Sequence, residues 1–381
     1  MKRYGFVLFT LLLFGPPPRV SADTDSNALA AGVQHAISAA VNRELAAYGG
    51  ARPVPGVVVG VWIRGKGQFV KGFGYANLSS HSPMALDDHF RIGSNTKTFV
   101  ATVLLRLHDE KKLKLDDTIA HFKLGFHVPN ESRITVRELA EMRSGLLDIY
   151  SVPGVQNESE SVWRNRTPKQ WVELATKQPL LFSPGTRYNY SNTNWFLLGL
   201  IIEKITGDSI QSQINKRILV PMQLRETSFP TTEHGMPHPY ARGYSLNGSR
   251  QWVDETTALP PPASWAAGAM ISDMADMQRW VKAYVTGTTN SAASQKARLT
   301  CLPTGEGNAA FGFGIGCSAG WYGYTGGITG YNTSAWYMPA KGVTIIAFVN
   351  TQREQPYPGV SNAIFRDIAR IVTPNNVPYV K

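Results

Sequence analysis

Apolar residues recur every four positions between Asn27 and Ala47, at Leu29, Val33, Ile37, Val41 and Leu45, which predicts an amphipathic helix ended by Gly49-Gly50. The pattern then changes. Val57 to Ile63 and Gln68 to Tyr75 are rich in β-branched and aromatic residues, and Arg64-Gly65-Lys66-Gly67 between them signals a hairpin. After a turn-rich stretch, Leu78 to Asp88, the run Phe99 to Leu107 is apolar on most sides. It predicts a buried helix that begins at or near Ser94.

The middle of the chain reads as mostly helical. Thr135-Val136-Arg137-Glu138 is a capping box, and Gly145 is expected to close its helix. Tyr150 to Thr167 reads as polar loop, Pro168 to Lys177 as a short helix and Pro184-Gly185 as a turn. A helix starting at Asn192 or Thr193 runs through Ile205 to a stop at Gly207, with a further helix over Asp208 to Ile218. Pro260-Pro261-Pro262 suggests a crossing loop, and Asp273 to Val285 is amphipathic again. Strand character returns at Ala335 to Met338 and Val343 to Asn350, which turn at Pro339-Ala340-Lys341-Gly342. Ser361 to Val372 closes the chain as a helix.

Strands at both ends with helices between predict an α/β fold: an antiparallel sheet built from both chain ends, flanked by helices, with an inserted mostly helical region. The α/β part is expected over about 27–93 and 265–381 and the helical part over about 94–264. The 381 residues are 43% hydrophobic and 17% charged, enough apolar material for a large core and too much for a disordered chain.

The N-terminus changes the picture. Met1-Lys2-Arg3, the apolar run Tyr4 to Gly15 and Val20-Ser21-Ala22 have the form of a secretory signal peptide over residues 1–22. That run is too short to span a bilayer, and no integral membrane segment is expected in the mature chain. Export places the protein in the periplasm or outside the cell and makes a disulfide between Cys301 and Cys317, the only cysteines, the default. Such a loop would stabilise the fold by about 3 kcal/mol if unstrained. Removing Lys2, Arg3 and Arg19 with the leader lowers the formal charge from +11 to +8. The bases are scattered and fit no nucleic-acid motif, so no nucleic-acid partner is expected, and an exported basic chain would feel only a weak, salt-screened attraction to anionic cell-envelope polymers. Seven Asn-x-Ser/Thr sequons, at Asn77, Asn130, Asn157, Asn165, Asn189, Asn247 and Asn332, matter only in a host that glycosylates.

Candidate chemistry starts at Ser94-Asn95-Thr96-Lys97. Ser94 and Lys97 are three apart and share one face of the first helical turn. A hydroxyl at a helix N-terminus beside a desolvated amine is an activated-nucleophile pattern, though Ser94 also suits a plain N-cap. Two further stretches stand out. Tyr190-Ser191-Asn192 precedes a helix, and Tyr324-Thr325-Gly326-Gly327 leads into the last strand pair. Gly316-Cys317-Ser318-Ala319-Gly320 fits G-x-S-x-G, but the last histidine is His238, so no base follows Ser318 as an α/β-hydrolase requires. The eight histidines show no metal-ligand spacing, and neither a metal nor a cofactor is expected.

Taken together these stretches resemble the serine penicillin-recognising family of class C β-lactamases, D-Ala-D-Ala carboxypeptidases and β-lactamase-like esterases. Phe90-Arg91-Ile92-Gly93, Ile134 to Leu139, Ser144-Gly145-Leu146 and Pro184-Gly185 extend the likeness over nearly the whole of 23–381, which reads as one serine hydrolase domain. The resemblance implies Ser94 as the acylated nucleophile, with Lys97 and Tyr190 sharing proton transfer. Asn192 would bind the substrate amide and hold Lys97, Thr325 and Gly326 would line the channel, and the N–H groups of Ser94 and Gly327 would form an oxyanion hole. It departs at Tyr324, where the family carries Lys, His or Trp. A neutral phenol donates a hydrogen bond but offers no positive charge to a substrate carboxylate. The expected activity is D-Ala-D-Ala carboxypeptidase-like hydrolysis of peptidoglycan peptides, with an esterase, a weak class C-type β-lactamase and a non-turnover penicillin sensor as the alternatives.

Overall fold

The structure is a computed structural model that describes residues 27–49, 53–231, 235–352 and 359–380. The leader over residues 1–22 and Gly50 lie outside the described residues. The chain builds one nine-stranded sheet in the order Ser82–Pro83, Gly67–Asn77, Gly56–Ile63, Val343–Val349, Tyr331–Met338, Trp321–Ile328, Ile315–Ser318, Ala309–Gly312 and Leu302–Pro303. Every pairing in it is antiparallel. The N-terminal hairpin joins the C-terminal strands by pairing Gly56–Ile63 with Val343–Val349. The sheet is therefore assembled from both ends of the chain.

Alternation along the strands fills two cores. Val57, Val59, Val61, Ile345 and Ala347 point to one face, where the helices Ala31–Gly49 and Val360–Val372 cover them and Trp336 stacks on Phe365. Val58, Ile346 and Phe348 point to the other face, into the larger core shared with the helices Thr96–Asp109, Asn192–Thr206 and Met274–Thr286. Thr96–Asp109 is buried along most of its length, and Phe99 stacks on Trp280 at 4.1 Å.

Local chemistry explains most boundaries. Thr135 and Glu138 make both hydrogen bonds of the capping box. Gly207, at φ 66°, supplies the left-handed residue that ends Asn192–Thr206. Cys301 and Cys317 form the expected disulfide, tying the edge strands together.

Four expectations are corrected. The capping-box helix stops at Ala140, and Gly145 turns the chain later, at φ 81°. Tyr150–Thr167 is not featureless loop, since it holds the helix Glu160–Asn165 and short turns that seat Trp163 between Tyr150 and Trp171. Pro261 and Pro262 do not cross a loop but open the helix Pro261–Gly268, where a first-turn proline loses no hydrogen bond. The segment after Gly207 is not one helix. It passes from α-helix, Ile210–Ile214, through a π-turn, Asn215–Leu219, to a last turn at Val220–Met222.

Candidate active site

Ser94 sits in the short 3-10 turn Gly93–Asn95 that leads into Thr96–Asp109. Its hydroxyl makes no cap bond to the helix, so the N-cap alternative is set aside. The turn lies against the strand Trp321–Ile328 at a distance only glycine permits. A Cβ on Gly326 would fall 2.1 Å from the Ile92 carbonyl oxygen and 2.5 Å from Thr333 Oγ1. Thr333 fastens this junction by donating to the Ile92 carbonyl at 3.0 Å and accepting from Asn95 Nδ2 at 3.0 Å.

The strand Ile315–Ser318 pairs with residues 321–323 alone, so from Tyr324 onward the outer edge of Trp321–Ile328 has no strand partner among the described residues. That edge faces a cleft of about 820 Å³. Ser94, Tyr190, Asn192, Tyr324, Thr325, Gly326 and Gly327 all line it. Three segments far apart in sequence thus converge on one cavity.

Lys97 is fully buried behind Ser94. Its Nζ lies 2.9 Å from Ser94 Oγ, 2.9 Å from Asn192 Oδ1 and 2.6 Å from the Ala267 carbonyl oxygen. Ala267 is in the last turn of Pro261–Gly268, where carbonyls lack a donor within the helix and are free for a side chain. That helix is broken at Trp265, which holds φ 30° and ψ −125°. Burial pushes the Lys97 amine down from 10.5 to about 7, against an opposing pull from the Asp148 carboxylate.

The three oxygens satisfy a charged amine, which donates to all of them, and the same set also accommodates a neutral one. Such an amine has two N–H groups, and Asn192 Oδ1 and the Ala267 oxygen can only accept. With both N–H groups so used, the lone pair is left for the third neighbour, the Ser94 hydroxyl.

The Tyr190 hydroxyl lies 2.7 Å from Ser94 Oγ, and the Lys97 amine lies 5.1 Å from the centre of its ring. Burial raises the phenol above its usual value, and the Ser94 hydrogen bond only partly opposes this. Tyr190 keeps 37% of its surface in solvent, which moderates the rise without reversing it. Lys97 gives it little help toward a phenolate, because an amine at about 7 carries only part of a charge at neutral pH.

Tyr324 is buried, with its ring packed edge-on against Phe311 at 5.6 Å. Its hydroxyl faces the Tyr190 phenol but makes no hydrogen bond of ordinary geometry. Burial, and the neighbouring Tyr190, keep it protonated. The rest of the cleft is largely aromatic, with Tyr150, Trp163, Tyr188 and Phe311 in its walls. Glu306 is the one charged side chain lining it among the described residues.

Sequence reasoning missed Asp148, Ala267 and Thr333. Asp148 follows Ser144-Gly145-Leu146 by two positions, a signal that was available. Ala267 acts through its main chain and left none.

Comparison with known proteins identifies the family and the fold. Residues 41–367 match the family model described as Beta-lactamase. Protein flp of Staphylococcus aureus (strain MW2) is 30% identical over 236 residues, 60% of this chain and 45% of the relative, so the chain spans less than half of that relative's length. The solved D-stereospecific amidohydrolase from Streptomyces sp. is 29% identical, superposes with a TM-score of 0.77, and the match covers 88% of this chain and 98% of that one. The octameric penicillin-binding protein homologue from Pyrococcus abyssi is 25% identical with a TM-score of 0.74, covering 87% of this chain and 76% of that one. With the family match running through both the sheet and the helical segments that meet at Ser94, the chain belongs to the Beta-lactamase family of serine hydrolases.

Proposed function

We propose that the protein is an exported serine hydrolase that acts through an acyl-enzyme on Ser94 and cleaves short amides or esters whose leaving side carries no carboxylate. The observation that carries this reading is the buried Lys97 amine, 2.9 Å from Ser94 Oγ and saturated by two acceptors. Ser94 attacks the substrate carbonyl carbon and passes its proton to Lys97. The main-chain N–H groups of Ser94 and Gly327 receive the developing oxyanion, a contribution of a few kcal/mol. Tyr190, a protonated phenol 2.7 Å from Ser94 Oγ, relays the proton to the departing amine or alkoxide. Water then attacks the acyl carbon and gives a proton to the Lys97–Tyr190 pair, and Ser94 Oγ leaves the acyl carbon and takes that proton, which releases the acid and free Ser94.

Substrate choice follows from charge. A D-Ala-D-Ala carboxypeptidase or a β-lactamase must hold a carboxylate near the Tyr324 strand. The cleft offers phenols there, and among the described residues the charged side chain in its wall, Glu306, is acidic. Neutral or amine-bearing substrates fit better. The Streptomyces relative, named a D-stereospecific amidohydrolase, supports D-configured amides as the first class to try. The peptidoglycan carboxypeptidase reading is the second, supported by the likeness to a penicillin-binding protein homologue. The leader-like residues 1–22 and the disulfide support export.

The test is hydrolysis of a D-amino-acid amide, a short acyl ester, a D-Ala-D-Ala peptide and a β-lactam, with Ser94→Ala as blank. Turnover of the first two and a mass adduct on Ser94 are expected. Preference for the D-Ala-D-Ala peptide would overturn the substrate assignment, and turnover that survives Ser94→Ala would overturn the mechanism.

A further inference from the structure

The Lys97 environment depends on which way the Asn192 amide points. With Oδ1 toward Lys97 the amine has two acceptors. With the amide turned over, an NH2 group would meet the amine, donor against donor. Lys97 would then lose an acceptor, and its lone pair would turn from Ser94 toward Asn192. The two orientations have nearly the same shape, so packing cannot choose between them and hydrogen bonding must.

Asp148 makes that choice. Its Oδ2 accepts from Asn192 Nδ2 at 2.8 Å and from the Asn192 main-chain N–H at 2.9 Å. Its Oδ1 accepts from the Tyr150 N–H at 2.8 Å, which anchors the carboxylate at the start of the Ile149–Ser151 turn. An ionised carboxylate only accepts, so it admits the NH2 end of Asn192 and repels the Oδ1 end. The same oxygen also satisfies the first N–H of Asn192–Thr206, a helix that has no side-chain cap from its own N-cap residue, Ser191.

We propose that Asp148 is the positioning residue of this site, locking the Asn192 amide so that Lys97 presents its lone pair to Ser94. The inference rests on the acyl-enzyme reading above. Asp148 acts through Asn192 and does not touch substrate. Its charge has a second effect, pulling the Lys97 proton affinity upward against burial. The other titratable group facing Lys97 is the Tyr190 phenol, and the Pro261–Gly268 helix presents only the Ala267 carbonyl.

The experiment compares Asp148→Asn, Asp148→Glu, Asn192→Ala and the Asp148→Asn/Asn192→Ala pair by kcat/KM against pH on a chromogenic ester. Asp148→Asn offers one acceptor oxygen where the carboxylate offered two. Its plateau is expected to fall roughly tenfold to 10²-fold through kcat, the scale of a misplaced catalytic group. Its acid limb is expected to move to lower pH, since a charge that held the Lys97 proton is gone. Asp148→Glu keeps that charge and is expected to lose plateau activity with the limb in place, so it carries the test should Asp148→Asn not fold. In the Asn192→Ala background Asp148→Asn is expected to cost little more in plateau rate. Additive losses, or plateaus unchanged in both Asp148 variants, would overturn the inference alone. Wild-type protein that never acylates Ser94 would instead remove the reading beneath it.

Discussion

The Lys97 amine decides whether this site is a nucleophilic centre or a buried ion. At its ordinary value of 10.5, about three amines in 10⁴ would be neutral at pH 7; at about 7, roughly half are. Burial therefore enlarges the population of competent base by about 10³-fold. The acid limb of kcat/KM, which reports the free enzyme, should have its midpoint near pH 7 and fall to about one hundredth of the plateau two pH units below. The same shift has a cost in stability. The folded state holds the Lys97 proton less tightly than the unfolded chain does, so between about pH 7 and 10.5 the unfolded state binds more protons and stability rises with pH. The slope from this one group is at most about 1.4 kcal/mol per pH unit in that window, and it disappears below it.

The stability of Lys97→Met, which cannot titrate, supplies the reference. Wild type should gain on this variant as pH rises from 7 toward 10.5, as read by denaturant unfolding. Glu141, also pushed up to about 7 by burial, titrates in both proteins and cancels in the difference. An ester kcat/KM that is flat from pH 5 to 9, together with a stability difference that does not change with pH, would refute the assignment of Lys97 as the base.

Two other predictions are independent of that titration. Tyr324→Lys places a cation on the open strand edge and should raise kcat/KM for carboxylate-bearing substrates relative to neutral esters; an unchanged ratio would remove Tyr324 as the discriminator. Gly326→Ala drives a methyl group into the Ile92 carbonyl and Thr333, so it should cost about 1–3 kcal/mol in unfolding free energy and suppress Ser94 acylation, with wild-type values of both as the refuting result.

What was legible in the sequence is what a local pattern can encode. Gly207 marks the end of Asn192–Thr206 because a left-handed residue there favours glycine, and the capping box announces itself in four letters. The short strands between Leu302 and Ile328 were hidden because glycines at 312, 314, 316, 320, 323, 326 and 327 dilute the alternating pattern. Their value lies in tertiary contact: Gly323 and Gly326 leave no room for a Cβ against neighbouring backbone. The Tyr150–Thr167 segment was masked by its polarity, although Trp163 in it packs on two aromatic rings.

The site shows the same division more sharply. Ser94 and Lys97 at i and i+3 state that a hydroxyl and an amine are neighbours, which a surface helix could offer equally well. Burial supplies the neutral amine, and what would aim its lone pair at Ser94 is a pair of acceptors from positions 95 and 170 residues away. One acceptor is a main-chain carbonyl, which any residue type supplies. The other is an amide whose useful end is selected by Asp148, 44 residues before it. Residue identity proposes the chemistry here, while the proton's direction is set by groups that local spacing cannot reveal. A chain that kept Ser94, Lys97, Tyr190 and Asn192 but turned the Ala267 carbonyl away would hold every recognisable residue while leaving the Lys97 lone pair free to turn from Ser94.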